Sequence, residues 1–385
     1  MTAQRNPVCG WLLRLGVAVM GLGAISPAIA QSATAPVAER LSSSASPVPA
    51  LRGRLTASQI GLVINTADPY SVAVGDHYRR ARGLADDQVL RVELPIRNGL
   101  DPAEFLALKT AINRRFGSNI QALALAWVQP YSVACNSLTA ALTLGLDEGL
   151  CSRSCEPTRP SPYFNAATHR PFSDLGVRPS MLLAANSIDE ARDLIDRGVA
   201  ADGSLRQRGR GLAEIWLTTS SDRARAVRSV LYPPAQTLGP PAVRIRVENE
   251  SALVGAERVL IAMAGSMRPA MPATPAAWLP GAMADHLTSF GGTPGANTVT
   301  GQSTVLDWIA SGATASHGTV SEPCNHLQKF PHPQLLLLHY LQGATAIEAY
   351  WRSVAWPQQS LFVGEPLAAP FAPRIRPPVA TDAGR

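Results

Sequence analysis

The stretch QIGLVINTADPYSVAVGDHYRRARGLADDQVLRVELPIRNGLDPAEFLALKTAINRRFGSNIQALALAWV, residues 59–128, decides how the chain is read. Its first seven residues, 59–65, form a short apolar run that predicts a strand. Asp68 and Ser71 then offer side-chain caps for a helix over 70–82, which Gly83 closes. Val72, Val74 and Tyr78 share its buried side. Residues 88–94 alternate apolar and polar with period two, the pattern of a half-buried strand. Asp101-Pro102 starts a second helix reaching Phe116, with Phe105, Leu108 and Ile112 on one face. Residues 122–128 are apolar throughout and fit a strand covered on both faces. The order β-α-β-α-β predicts an α/β fold with a doubly wound, mainly parallel sheet and right-handed crossovers.

Working outward, further strands are expected at 178–185, 212–218, 259–263 and 313–317. Helices are expected at 188–201, 221–231, 281–290, 302–310, 334–341 and 344–353. Residues 130–177 are rich in Pro, Ser and Cys and lack periodicity, which marks a loop-rich insertion. The whole reads as a single α/β domain over 56–372, with a loose Pro- and Arg-rich tail at 373–385.

Upstream, Arg5 and Arg14 flank the start of an apolar run, 15–25, and Ala28-Ile29-Ala30 is a small-residue cleavage site. Residues 1–30 therefore read as a signal peptide cut after Ala30, and 31–55 as a flexible leader. The apolar run falls short of the roughly twenty residues a membrane span needs. Cys9 follows Asn6-Pro7-Val8 and lacks the small residue that precedes a lipidated cysteine. At 335–341 the apolar run is short and broken by His339, so no stable span is expected after cleavage. The expected address is periplasmic or secreted.

Composition narrows the class. With 46% hydrophobic and 16% charged residues the chain is not disordered, and five cysteines are too few for a disulfide-built miniprotein. The net charge of +6 falls to +4 once Arg5 and Arg14 are removed. Only Lys109 and Lys329 are lysines, and the arginines are scattered apart from Arg206, Arg208 and Arg210 in a glycine-containing loop. That pattern predicts a solvated loop rather than a nucleic-acid surface. The expected partner is an unidentified envelope or extracellular ligand.

In open α/β sheets ligands bind beyond the carboxyl ends of the strands. That rule selects Asn65, Thr66 and Asp68; Gln129 and Tyr131; Gly265, Ser266 and Arg268; and His317, Thr319, Ser321 and Glu322, expected to converge on one crevice. Asp68 serves equally as a helix cap. Cys135 and His317 both follow strands and could pair as nucleophile and base, since a thiolate needs an imidazole nearby. A structural disulfide at Cys135 is the competing reading. Four cysteines remain after cleavage, allowing three pairings, and Cys151 and Cys155 are spaced to close a small loop. Cys324, His326 and His332 stand close together, but their spacing matches no common zinc pattern, so no metal is expected. No cofactor motif is present. Gly265-Ser266 lacks the second glycine of a nucleophile elbow.

Five segments carry a resemblance: Asn65-Thr66-Ala67-Asp68-Pro69-Tyr70-Ser71, Ala284-Asp285-His286-Leu287-Thr288-Ser289-Phe290-Gly291-Gly292, Gly312-Ala313-Thr314, Thr319-Val320-Ser321-Glu322-Pro323 and Gly364-Glu365-Pro366-Leu367. Together they resemble a family of exported bacterial proteins with patchy distribution and no established function. More distantly, the opening strand-helix-strand, the Gly-Ala-rich late strand and the closing Leu361-to-Leu367 segment resemble gingipain-type cysteine peptidases, which implies a caspase-like sheet. In those peptidases one strand ends in His-Gly and a later one in Ala-Cys. Here Ala134-Cys135 precedes His317-Gly318, the reverse order. Aligning Met263-Ala264-Gly265-Ser266 with the His-Gly strand puts Asp285 and His286 near the cysteine position, and both catalytic residues are then missing. Two readings follow. One is a non-catalytic caspase-like domain binding a peptide, glycan or other envelope ligand in a crevice of Asn65, Asp68, Gln129, Ser266, Asp285, His286, Ser321 and Glu322. The alternative is a cysteine-type hydrolase using Cys135 and His317, or Asp285 and His286 in a rearranged site.

Overall fold

The chain's computed structural model describes residues 53–206, 211–239, 242–295 and 301–373. The expected signal peptide, the leader to residue 52, Arg208 and Arg210, and the tail from 374 lie outside the described residues. Strand β1 (Ile60–Asn65) is buried at every position. Helix α1 (Pro69–Arg82) is capped by Asp68, which accepts from the Tyr70 amide, and ends at Gly83 in the left-handed region. Its buried stripe is Ser71, Val74, Gly75 and Tyr78; Val72 is only half-buried. Strand β2 (Val89–Val92) does not alternate in burial, because it forms the sheet's outer edge. After β3 (Gly99–Leu100), helix α2 (Pro102–Arg115) begins in a capping box of Asp101 and Glu104 and buries Phe105, Leu108 and Ile112. Strand β4 (Ala122–Leu125) is fully buried.

The insertion holds more structure than its composition suggests. Strands β5 (Ser132–Val133) and β6 (Asn136–Ser137) form a small sheet with β3. Helix α3 (Leu138–Leu144) follows, buried along its whole length. A helix covered on every side shows no apolar stripe, so periodicity passes over it. Helix α4 (Pro171–Leu175) and strand β7 (Ser180–Leu182) close this region.

Helix α5 (Ile188–Ala201) matches its predicted bounds. Strands β8 (Ala213–Thr219), β9 (Gln236–Leu238), β10 (Val243–Asn249) and β11 (Val259–Ala264) come next. The helix expected at 221–231 is a single 3-10 segment, Ala226–Leu231. The helix expected at 281–290 is instead part of β12 (Trp278–His286), held between two parallel neighbours. Gly281-Ala282-Met283-Ala284 has little period of its own, and tertiary pairing decides its state. Helix α6 (Val305–Ser311), strand β13 (Ala315–Thr319), helices α7 (Pro333–Leu341) and α8 (Ala346–Ser353), and strand β14 (Ser360–Gly364) complete the chain. No described helix is long and apolar enough to cross a membrane.

The main sheet has eleven strands in the order β2-β1-β4-β7-β14-β13-β12-β11-β8-β10-β9. From β2 to β14 each neighbouring pair is parallel, and from β13 to β10 each is parallel again. Between the two runs β13 and β14 are antiparallel. The sheet is thus two parallel halves pointing in opposite directions. The carboxyl ends of β1 and β4 lie on one edge, and those of β8, β11, β12 and β13 on the other. At the seam, a Cβ on Gly318 would stand 2.3 Å from the Gly291 carbonyl carbon and the Gly292 nitrogen. The Gly291-Gly292 turn therefore lies directly on β13, an approach only glycine permits.

Glu365, just past β14, is fully buried and holds Arg82 at the end of α1 in a two-point pair of 2.9 and 2.6 Å. Arg82 also reaches Asp202 after α5 at 2.6 Å. The closing Gly364-Glu365 segment is accordingly a brace between helices and sheet.

Candidate functional site

The strand-end residues do not form one crevice, because the sheet reverses at the β13–β14 seam. Asn65, Asp68 and Gln129 follow β1 and β4 on one edge, where each has a structural task. The Asn65 side chain donates to the Leu94 carbonyl at 3.0 Å and accepts from the Leu94 and Ala67 amides at 2.9 and 3.2 Å. Asp68 caps α1 at 2.9 Å. Gln129 donates to Asn98 at 2.9 Å. Ser266, Asp285, His286, Ser321 and Glu322 lie on the opposite edge, at the ends of β11, β12 and β13.

That edge holds a buried polar cluster. Asp285 is fully buried and bonded to Arg228, which is equally buried on the 3-10 segment below β8. Arg228 also donates to the Ala264 carbonyl at 3.0 Å. Burial raises the Asp285 pKa, and the Arg228 charge opposes that rise. His286 is fixed as one tautomer. The Trp308 indole N–H can only donate, so His286 Nδ1 accepts from it at 2.9 Å, and Nε2–H donates to the Ser303 carbonyl at 3.0 Å. His286 therefore has no free lone pair to act as a base, whereas Asp285 Oδ2 is buried with no hydrogen-bond partner among the described residues.

Cys135 is bonded to Cys151, so it has no thiolate to offer as nucleophile. The other pair is Cys155–Cys324, and the small loop between Cys151 and Cys155 is not closed. His317 sits in the centre of β13, fully buried among Phe330, Tyr350 and Phe362 at ring separations of 6.0, 6.3 and 5.3 Å. Among the described residues neither of its ring nitrogens has a hydrogen-bond partner, and no contact joins it to Cys135. The Cys135–His317 pair is corrected on both counts. Cys324 is likewise consumed, and His326 Nε2 contacts the Cys155 carbonyl at 2.7 Å. Among the described residues no three His, Cys, Asp or Glu side chains group as metal ligands.

What remains open at this edge is a cleft of about 300 Å³. Arg225, Thr288, Ser289, Glu322 and Asn325 line it, with Cys324 in its wall. Arg225 pairs with Asp222 at 2.9 Å and donates to Thr288 at 2.9 Å, and Thr288 in turn donates to Gln302. Glu322 accepts from the Cys324 amide at 2.8 Å, and Asn325 donates to the Ala224 carbonyl at 3.0 Å. Ser321 donates to the Cys135 carbonyl at 2.7 Å, tying the insertion's hairpin to this edge. Of these residues, only Glu322 and Ser321 were legible as strand-end groups. Arg225, Arg228 and Thr288 come from segments whose approach to the edge depends on chain crossings far apart in sequence.

The buried rings carry a pH dependence. Burial lowers the His286 pKa to about 3 and holds that of His317 well below its ordinary value. Both stay neutral in the fold, while an unfolded imidazole titrates near ~6.5. The unfolded chain therefore binds more protons below that pH. Stability is complete above the unfolded value and is lost as pH falls toward the folded values, by up to about 1.4 kcal/mol per pH unit for each ring. Urea midpoints should fall between pH 7 and pH 5, and His317→Phe should remove one ring's share of the slope. A slope unchanged in that variant would contradict a neutral, buried His317.

Compared with protein-family models, with curated proteins and with solved structures, the chain matches none.

Proposed function

We propose that this chain is an exported, non-catalytic binding domain that holds a peptide or glycan of the cell envelope in the cleft between Arg225, Thr288, Ser289, Glu322 and Asn325. One observation carries the reading. Cys135 is held in a disulfide, both His286 ring nitrogens are engaged and Asp285 is paired with Arg228, while an open cleft with polar walls remains beside them. A cleft of this size with a few polar groups suits recognition of a small ligand segment. Export is supported by the N-terminal reading and by two cysteine pairs, the second joining residues 169 apart in sequence. The caspase-like resemblance is supported only in outline: Ala264 pairs with His286 across two parallel strands, so Gly265-Ser266 and Asp285-His286 are adjacent strand ends.

The test uses protein purified from the periplasm, screened on peptide and glycan arrays, with turnover followed on the same peptides. Saturable binding without cleavage is expected, and Ser289→Trp, which fills the cleft, should weaken it by at least about tenfold. Turnover abolished by Ser289→Trp would replace the binding reading with an enzymatic one. Binding that survives that substitution would move the ligand elsewhere.

A further inference from the structure

A second cavity, of about 460 Å³, lies beneath the insertion, between α2, the end of α3 and residues 172–178. Ile112, Phe116, Leu123, Leu142 and Phe172 give it an apolar wall, with Asn113 and Thr143 also lining it. Its charged groups are all cationic, being Lys109, Arg159 and Arg178, and no carboxylate lines it. Arg178 is occupied. It donates to the carbonyls of Ile120, Phe116 and Gly117 and stacks on Phe172 at 3.6 Å. Lys109 and Arg159 are not neutralised: among the described residues neither has an ion-pair partner. The Lys109 ammonium lies 5.9 Å from the Phe105 ring centre, and Arg159 donates only to the Leu144 carbonyl at 2.8 Å.

The two charges converge on one point. Gly145 has φ +99°, and the position its missing Cβ would take lies 3.9 Å from both Lys109 Nζ and Arg159 Nη1. Both cations therefore approach the same side of Gly145, and an anion seated between them meets both at once. Burial and the Arg159 charge together lower the Lys109 pKa, so an anion between the two would relieve that repulsion. Behind this mouth the cavity offers hydrocarbon and aromatic surface, which favours an apolar body attached to the anion. Its volume falls within the range of small-molecule sites.

We propose that this cavity binds a medium-chain carboxylate, with the carboxylate between Lys109 and Arg159 and the alkyl chain against Ile112, Phe116, Leu142 and Phe172. The site is separate from the strand-end cleft and gives the insertion a ligand of its own. Calorimetric titration of the periplasmic protein with decanoate, decanol and acetate tests it. Decanoate should bind saturably, and decanol and acetate at least about tenfold more weakly, since one lacks the charge and the other the chain. Lys109→Met and Arg159→Met should each weaken decanoate binding by about tenfold or more, with thermal melts confirming that both variants fold. Lys109 and Arg159 reach the surface, so neither change opens the core. Absence of decanoate binding, equal affinity for decanol or acetate, or undiminished affinity in both variants would each overturn the proposal.

Discussion

Asp285→Ala is expected to destabilise the protein by about 3–5 kcal/mol, the range for stranding one charge of a buried pair. Arg228 and Asp285 are each about 1% exposed, so water cannot take over the lost contact. With the carboxylate gone, the guanidinium keeps the Ala264 carbonyl and the Tyr232 hydroxyl, neither of which carries a countercharge. The double variant Arg228→Met/Asp285→Leu should recover most of the loss, because removing both charges also removes the cost of burying them. Urea denaturation of the two variants decides the matter. A single variant within about 1 kcal/mol of wild type would indicate a solvated pair instead.

The disulfides give the second large effect. Closing a loop restricts the unfolded chain, and the restriction grows with loop length. Cys155–Cys324 spans 169 residues of sequence and Cys135–Cys151 spans 16. Chain entropy assigns about 5 kcal/mol to the longer loop and about 3 kcal/mol to the shorter. Cys155→Ser/Cys324→Ser should therefore lower the denaturation midpoint more than Cys135→Ser/Cys151→Ser. On the proposed export with cleavage after Ala30, which would remove Cys9, thiol counting on the denatured protein should find no free thiol before reduction and four after. Reactive thiol at Cys135 in the native protein would restore the cysteine as a nucleophile.

The legible parts of the fold are those in which one local pattern governs. Asp68 and Gly83 mark the ends of α1, Asp101-Pro102 opens α2, and Ile188–Ala201 carries a stripe that only a helix can bury. The alternation in Val243–Asn249 was equally local: Val243 and Ile245 are buried, and Arg244 and Arg246 are half-exposed. That strand was available to a closer reading. Helix α3 and strand β12 were not, because their residues are enclosed on all sides and no face remains to set a period.

The candidate site divides in the same way. The rule that ligands gather beyond strand ends selected Ser266, Ser321 and Glu322, which share one edge with Asp285 and His286, two residues drawn instead from the resemblance. Asn65, Asp68 and Gln129, selected by the same rule, lie on the opposite edge, because strand direction across β13 and β14 is not written in either strand. The cysteine count alone favoured disulfides, but the pairing depended on which loops meet.

By itself, then, the sequence determined the α/β class, the first two crossovers and the helices with a single buried stripe. These follow from capping, chain stiffness and periodicity over a few neighbouring residues. Only the tertiary structure decided the reversal of the sheet, the partners of Asp285 and His286, the cysteine pairing and the meeting of Lys109 with Arg159. Each of those depends on contacts between residues tens to hundreds of positions apart, and contacts at that range are selected by the packing of the whole core.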